Sequence, residues 1–92
     1  MIKSEMIQKL FEATKIPRKA AELAVNTIFD TMTDALSKSE GIEIRGFGTF
    51  KVKDRKARIA RNPRTGDSVP VPPRKVPVFK VSKELKDMVA QG

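Results

Sequence analysis

The 92-residue sequence contains no cysteine and no histidine. Without thiols there is no disulfide and no thiolate metal centre. Without imidazole the commonest remaining transition-metal ligand and the commonest general base are missing as well. Tryptophan and tyrosine are also absent, leaving five phenylalanines as the whole aromatic complement. No apolar run approaches membrane-spanning length, and Met1 through Leu10 is amphipathic and unlike the apolar centre of a signal peptide. Neither a Gly-x-Ser-x-Gly elbow nor a Walker phosphate loop occurs. These absences predict a soluble cytoplasmic protein with no catalytic activity, cofactor, metal, small-molecule substrate or membrane attachment.

What the chain has in excess is positive charge, a formal +8 at pH 7. Its location is more informative than its size. Between Lys51 and Lys80 stand ten basic residues against two acids, Asp54 and Asp67, whereas the rest of the chain balances nine against nine. One segment therefore carries the whole net charge, which points to a polyanionic partner bound through that segment.

Apolar spacing organises the rest. Met6, Ile7, Leu10 and Phe11 recur at helical intervals, with Ser4 a candidate N-cap and a break from Thr14 to Pro17. After Pro17, the run Ala20, Ala21, Leu23, Ala24, Ile28, Met32, Ala35 and Leu36 predicts a second helix ended by Gly41 at a C-cap. Val25 and Phe29 widen its apolar stripe beyond what one small helix covers, so a second chain is expected to cover the remainder. Ile42 to Arg45 alternates with period two, and Phe47, Phe50 and Val52 continue a strand-rich run in which Gly46 and Gly48 mark a bend or bulge. Beyond Val52 large apolar residues become sparse up to Val76, around the turn signal Asn62-Pro63-Arg64-Thr65-Gly66. That pattern predicts a two-stranded arm, roughly residues 53–76, whose limbs of about ten residues would reach roughly 30 Å from the body. Pro70 and Pro72 share a parity that fits an open ribbon edge. Pro73 has the other parity, so regular pairing should break there, at a bulge. Ser82 is placed to cap a short last helix.

Two motifs are weighed and set aside. Gly46-Phe47-Gly48 lacks the third glycine and the following helix of a dinucleotide fingerprint. Arg45-Gly46-Phe47-Gly48-Thr49-Phe50 begins like a base-stacking RNA-recognition strand, but Thr49 and Val52 stand where aromatics are needed, and Phe47 and Phe50 are better read as core. In the arm, Arg55, Arg58, Arg61 and Arg64 recur every third residue and are answered by Arg74 and Lys75, an arrangement suited to phosphates and narrow minor grooves.

Three segments in order, Arg45-Gly46-Phe47-Gly48-Thr49-Phe50, Arg61-Asn62-Pro63-Arg64-Thr65-Gly66 and Val76-Pro77-Val78-Phe79-Lys80, resemble the signature of the bacterial HU and integration host factor family, and the likeness is closer to HU. The resemblance implies one α+β domain over residues 1–92: a helix hairpin, an antiparallel sheet with a protruding β-ribbon arm, and a short C-terminal helix, in an intertwined dimer. It further implies that the arms wrap duplex DNA, bend it and help compact the nucleoid, with Pro63 wedged between base pairs. The expected DNA-binding set is Pro63 and Asn62 at the tip, Arg58, Arg61 and Arg64 in the minor groove, and Lys53, Arg55, Lys56, Arg74, Lys75 and Lys80 along the backbone. Lys3, Lys83 and Lys86 are flank candidates. The partner chain is expected to be a second identical copy in preference to a different subunit. Ala60 stands where the family often has glycine, and Pro72-Pro73 is an uncommon pair for it. The rival readings are a sheet-based binder of single-stranded RNA and a cationic structural or membrane-surface protein.

Overall fold

The helix-period segment at the N-terminus folds as α1 (Lys3–Thr14) and α2 (Arg18–Ser37) in the computed structural model, which describes residues 1–92. Ser4 does not cap α1. The cap lies two residues earlier, at Ile2, whose carbonyl accepts from the Glu5 and Met6 N–H groups at 3.1 and 3.2 Å, so Ser4 lies within the first turn. Lys15 in the left-handed region (φ 59°) ends α1, and Pro17 opens α2 by offering its carbonyl to Ala20 and Ala21.

Gly41 does not terminate α2 either. Helix α2 stops at Ser37, and Ser39, at φ 61°, takes the left-handed position. The Ser39 N–H donates to the Leu36 carbonyl at 3.0 Å and the Glu40 N–H to the Ala35 carbonyl at 2.9 Å, the paired bonds of a Schellman motif with serine in the usual glycine place.

The sheet follows as β1 (Ile42–Ile44), β2 (Gly48–Arg55) and β5 (Arg74–Val81), antiparallel in the order β1-β2-β5, and β3 (Arg58–Arg61) pairs with β4 (Ser68–Val71) as a separate ribbon. Gly46 (φ 80°) makes the turn between β1 and β2. Gly48 serves packing: a Cβ there would meet the Phe79 ring at 2.5 Å and the Lys80 carbonyl at 2.6 Å. The Ser82 N–H donates to the Phe47 carbonyl at 2.9 Å, and the Ser82 hydroxyl caps α3 (Lys83–Gln91) by accepting from the Leu85 N–H at 3.1 Å, as its sequence position predicts.

Pairing does break beside Pro73, but no bulge forms. Arg55 faces Arg74 and Arg58 faces Val71, so each strand advances three residues across the gap and none is inserted. The prolines explain the gap. Without an N–H, Pro77 opposite Val52 and Pro70 opposite Ile59 are tolerated only in pairs that exchange no hydrogen bonds. Such pairs recur at every second residue, yet Val52 and Ile59 differ in parity. The ladder must therefore change phase between them, and it does so at Lys56-Ala57 and Pro72-Pro73, which form no rungs. Pro73 then follows the phase of the sheet and Pro72 that of the arm, so neither removes a donor that a rung requires.

Burial within the chain is slight. Ile7, Ala21 and Val25 are the only buried apolar residues, with Leu10, Phe11 and Ile16 packed against them between α1 and α2. Leu23 is 68% exposed and Ile28 57%, while Phe47 and Phe79 are each 44% exposed. The arm draws the chain out to 57 Å, and the radius of gyration of 18.7 Å well exceeds the roughly 12 Å of a compact domain this long.

Replacing Gly48 with valine should destabilise the fold by about 1–3 kcal/mol, since the ring and carbonyl above it leave no room for the added methyls. Urea unfolding at fixed protein concentration checks this, and an unchanged midpoint would mean that Phe79 moves aside freely.

Candidate nucleic-acid interface

Register alone sorts the sheet residues into two faces, because antiparallel partners share a side and successive residues alternate. On one face Thr49, Lys51, Lys53 and Arg55 of β2 stand opposite Lys80, Val78, Val76 and Arg74 of β5. Five cations thus line one surface. On the other face lie the pairs Phe50–Phe79, Val52–Pro77 and Asp54–Lys75. Phe79 packs against Phe50 and Phe47 with ring centroids 4.7 and 5.4 Å away, and Val52 and Pro77 form a recess with Leu36 at the end of α2.

This division separates residues that look equivalent in sequence. Arg74 and Lys75 are adjacent, yet Arg74 is on the cationic face while the Lys75 ammonium donates to the Ser39 hydroxyl at 3.3 Å, beside the C-terminus of α2. Lys51, absent from the expected DNA-binding set, shares its face with Lys53 and Arg55. The period-two spacing of those three residues is the signal that would have found it.

Along the arm, Arg58 pairs with Val71 and Arg61 with Ser68. A three-residue spacing on a structure of period two puts these arginines on opposite faces of the ribbon, not on one stripe. Ala60 sits in regular pairing opposite Val69 and outside the left-handed region, so no glycine is required there. Ile59 is 68% exposed.

The tip is held by its own polar groups. The Asn62 N–H donates to the Asp67 carbonyl at 2.9 Å and the Gly66 N–H to the Asn62 carbonyl at 2.7 Å, with Gly66 at φ 76°. The Asn62 side-chain oxygen accepts from the Arg64 N–H at 2.9 Å, and the Thr65 hydroxyl accepts from the Asp67 N–H at 3.3 Å. Pro63 is thereby exposed at the far end of the ribbon, flanked by Arg61 and Arg64. Lys3 lies at the start of α1, and Lys83 and Lys86 in α3, outside both sheet and arm.

Electrostatically the surface is unbalanced. The protein has one ion pair, Lys38–Asp34 at 3.0 Å at the C-terminal end of α2, so none of the ten cations from Lys51 to Lys80 has a carboxylate within 4.0 Å. A surface of this kind attracts polyanions strongly and gains little internal stability from its charges.

Comparison with known proteins agrees with this geometry. A family model described as "Bacterial DNA-binding protein" matches residues 1–90. DNA-binding protein HU 1 of Bacillus subtilis is 47% identical over 90 residues, covering 98% of each chain. Integration host factor subunit beta of Herminiimonas arsenicoxydans is 49% identical over 90 residues, covering 97% of this chain and 89% of that one. Among solved structures, HU of Anabaena in a cocrystal with DNA superposes with a TM-score of 0.88 at 30% identity over 100% of both chains. A mutant HU of Thermotoga maritima gives 0.70 at 35% identity, covering 97% and 99%.

Substituting Asn62 with alanine should leave the Arg64 N–H without its acceptor and loosen the tip by about 1 kcal/mol. Faster amide exchange at Arg64 and Gly66, with exchange in α2 unchanged, is the expected result. By its sequence and its fold, the chain belongs to the bacterial DNA-binding protein family of HU and integration host factor, whose members are architectural proteins of DNA.

Proposed function

We propose that residues 1–92 are a single architectural domain which, as a dimer of two identical copies, binds duplex DNA and bends it without catalysing any reaction, in the nucleoid of the cytoplasm. The observation that carries this reading is the unpaired charge: of ten cations without a carboxylate partner, all but Lys75 lie on one sheet face and a protruding ribbon. Lys51, Lys53, Arg55, Arg74 and Lys80 contact phosphates from the sheet, and the arm enters the minor groove with Arg58 and Arg61 directed to its two walls. Lys56 and Arg64 extend the phosphate contacts, Asn62 fixes the tip, and Lys3, Lys83 and Lys86 meet DNA that the bend brings against the helices.

Pro63 is the wedge. Its ring is rigid, apolar and free of an N–H, so it enters a base step without burying an unsatisfied donor, at a stacking cost of a few kcal/mol that the added arm contacts offset. The alternative of stacking single-stranded RNA on the sheet has less support, because Phe50 lies on the face opposite the cations.

Affinity for a random duplex should fall steeply with salt, with a log–log slope of about −0.9 per phosphate contact. Lys53→Ala should flatten that slope, whereas Lys75→Ala should leave it nearly unchanged, because Lys75 is turned toward Ser39. Equal slopes for both variants and the unsubstituted protein would show that the sheet face makes no phosphate contact. In a fluorescence-transfer assay Pro63→Ala should bend DNA much less at an unaltered salt slope, and a preserved bend would reduce Pro63 to a turn residue.

A further inference from the structure

The arginines of the arm have a use in the proposed function, but most of the ribbon between them is hydrocarbon. Five of the eight side chains in β3 and β4 are apolar: Ile59, Ala60, Val69, Pro70 and Val71. The register deals them to both faces. Ile59 and Pro70 form a cross-strand pair on the face that carries Arg61, and Ala60 and Val69 form the next pair on the face that carries Arg58. Ile59 is 68% exposed and Val69 45%, and Pro70 is exposed beside Ile59. The ribbon is separate from the sheet and contributes no buried residue, so these side chains have no cover within the chain. Backbone groups add no polarity to the faces. In a ladder they lie in the plane of the ribbon, between its strands or along its edges, and Pro70 has no N–H. Ser68, opposite Arg61 near the tip, is the one neutral polar side chain of the pair of strands.

We propose that the apolar pair Ile59–Pro70, with Ala60 and Val69 on the other face, makes the arm selective for the sugar of the duplex, admitting deoxyribose and rejecting ribose. The inference rests on the minor-groove reading above and adds to it which duplex the arm accepts. Between the phosphates, the walls of a B-form minor groove present the C–H edges of deoxyribose, which hydrocarbon covers without stranding a polar group. Ribose differs by a 2′-hydroxyl displayed in that same groove. Set against Ile59 and Pro70, the hydroxyl loses its water and meets neither donor nor acceptor. Arginine cannot make this distinction, because phosphates are common to both nucleic acids. The hydrocarbon between the arginines can.

Competition binding of the intact protein to three duplexes of one sequence tests this. One is all DNA, one pairs DNA with RNA, and one pairs DNA with a 2′-fluoro strand, which keeps a ribose-like pucker but carries no hydroxyl. The all-DNA duplex should be bound about tenfold more tightly than the RNA hybrid, the effect of one stranded hydroxyl, and the 2′-fluoro hybrid should bind nearly as well as DNA. Ile59→Thr keeps the β-branched shape and offers a hydroxyl, so it should reduce the preference to about threefold at an unchanged salt slope. Equal affinity for DNA and the RNA hybrid would overturn the inference and leave duplex binding intact. So would a 2′-fluoro hybrid bound as poorly as the RNA hybrid, because groove shape would then be what is selected, or an undiminished preference in Ile59→Thr. Failure to bind the all-DNA duplex would overturn the functional reading as well. The comparison of three duplexes uses the unsubstituted protein, so it decides the matter even if the variant does not fold.

Discussion

The apolar surface of this chain cannot be hidden by the chain itself, and most of its architecture follows from that. Three apolar side chains are buried, all between α1 and α2, while Leu23 and Ile28 of α2 and the Phe47–Phe79 edge of the sheet remain open. Surface of this extent is unfavourable in water at about 25 cal/mol per Å², so a second chain covering it is the natural completion of the fold. The Phe50–Phe79 face and the cationic face are the two sides of one sheet.

Proline governs the other half of the molecule. Five of the six prolines lie from Pro63 onward, where they set the tip, the phase change and the uninterrupted pairing of β5. A ribbon rich in residues that cannot donate hydrogen bonds is marginal as isolated structure, and its unpaired positive charge makes it more so. Both properties suit an arm that becomes ordered on a polyanion.

Much of this was legible in the sequence. Helical spacing gave both N-terminal helices, alternation gave the strands, the Asn62-Pro63 turn and the density of arginine gave the arm, and Ser82 gave the last cap. The errors share a cause. Ser4 and Gly41 are residues of suitable type beside helix ends, but the ends were set by backbone closure on Ile2 and by Ser39 accepting a left-handed conformation, which no local composition signals. The bulge expected at Pro73 assumed one unbroken pleat. Only the pairs Val52–Pro77 and Ile59–Pro70 together reveal that the pleat changes phase, and those pairs require the register. The same register separates Arg74 from Lys75 and adds Lys51.

That two copies complete one fold is the central claim, and thermal unfolding across roughly a hundredfold range in protein concentration, paired with sedimentation equilibrium at the same concentrations, tests it most directly. A midpoint that climbs with concentration and a mass of twice 10.3 kDa are the predicted results. A constant midpoint with a monomeric mass and intact helical signal would contradict the account, because the chain would then be stable with its apolar faces in water.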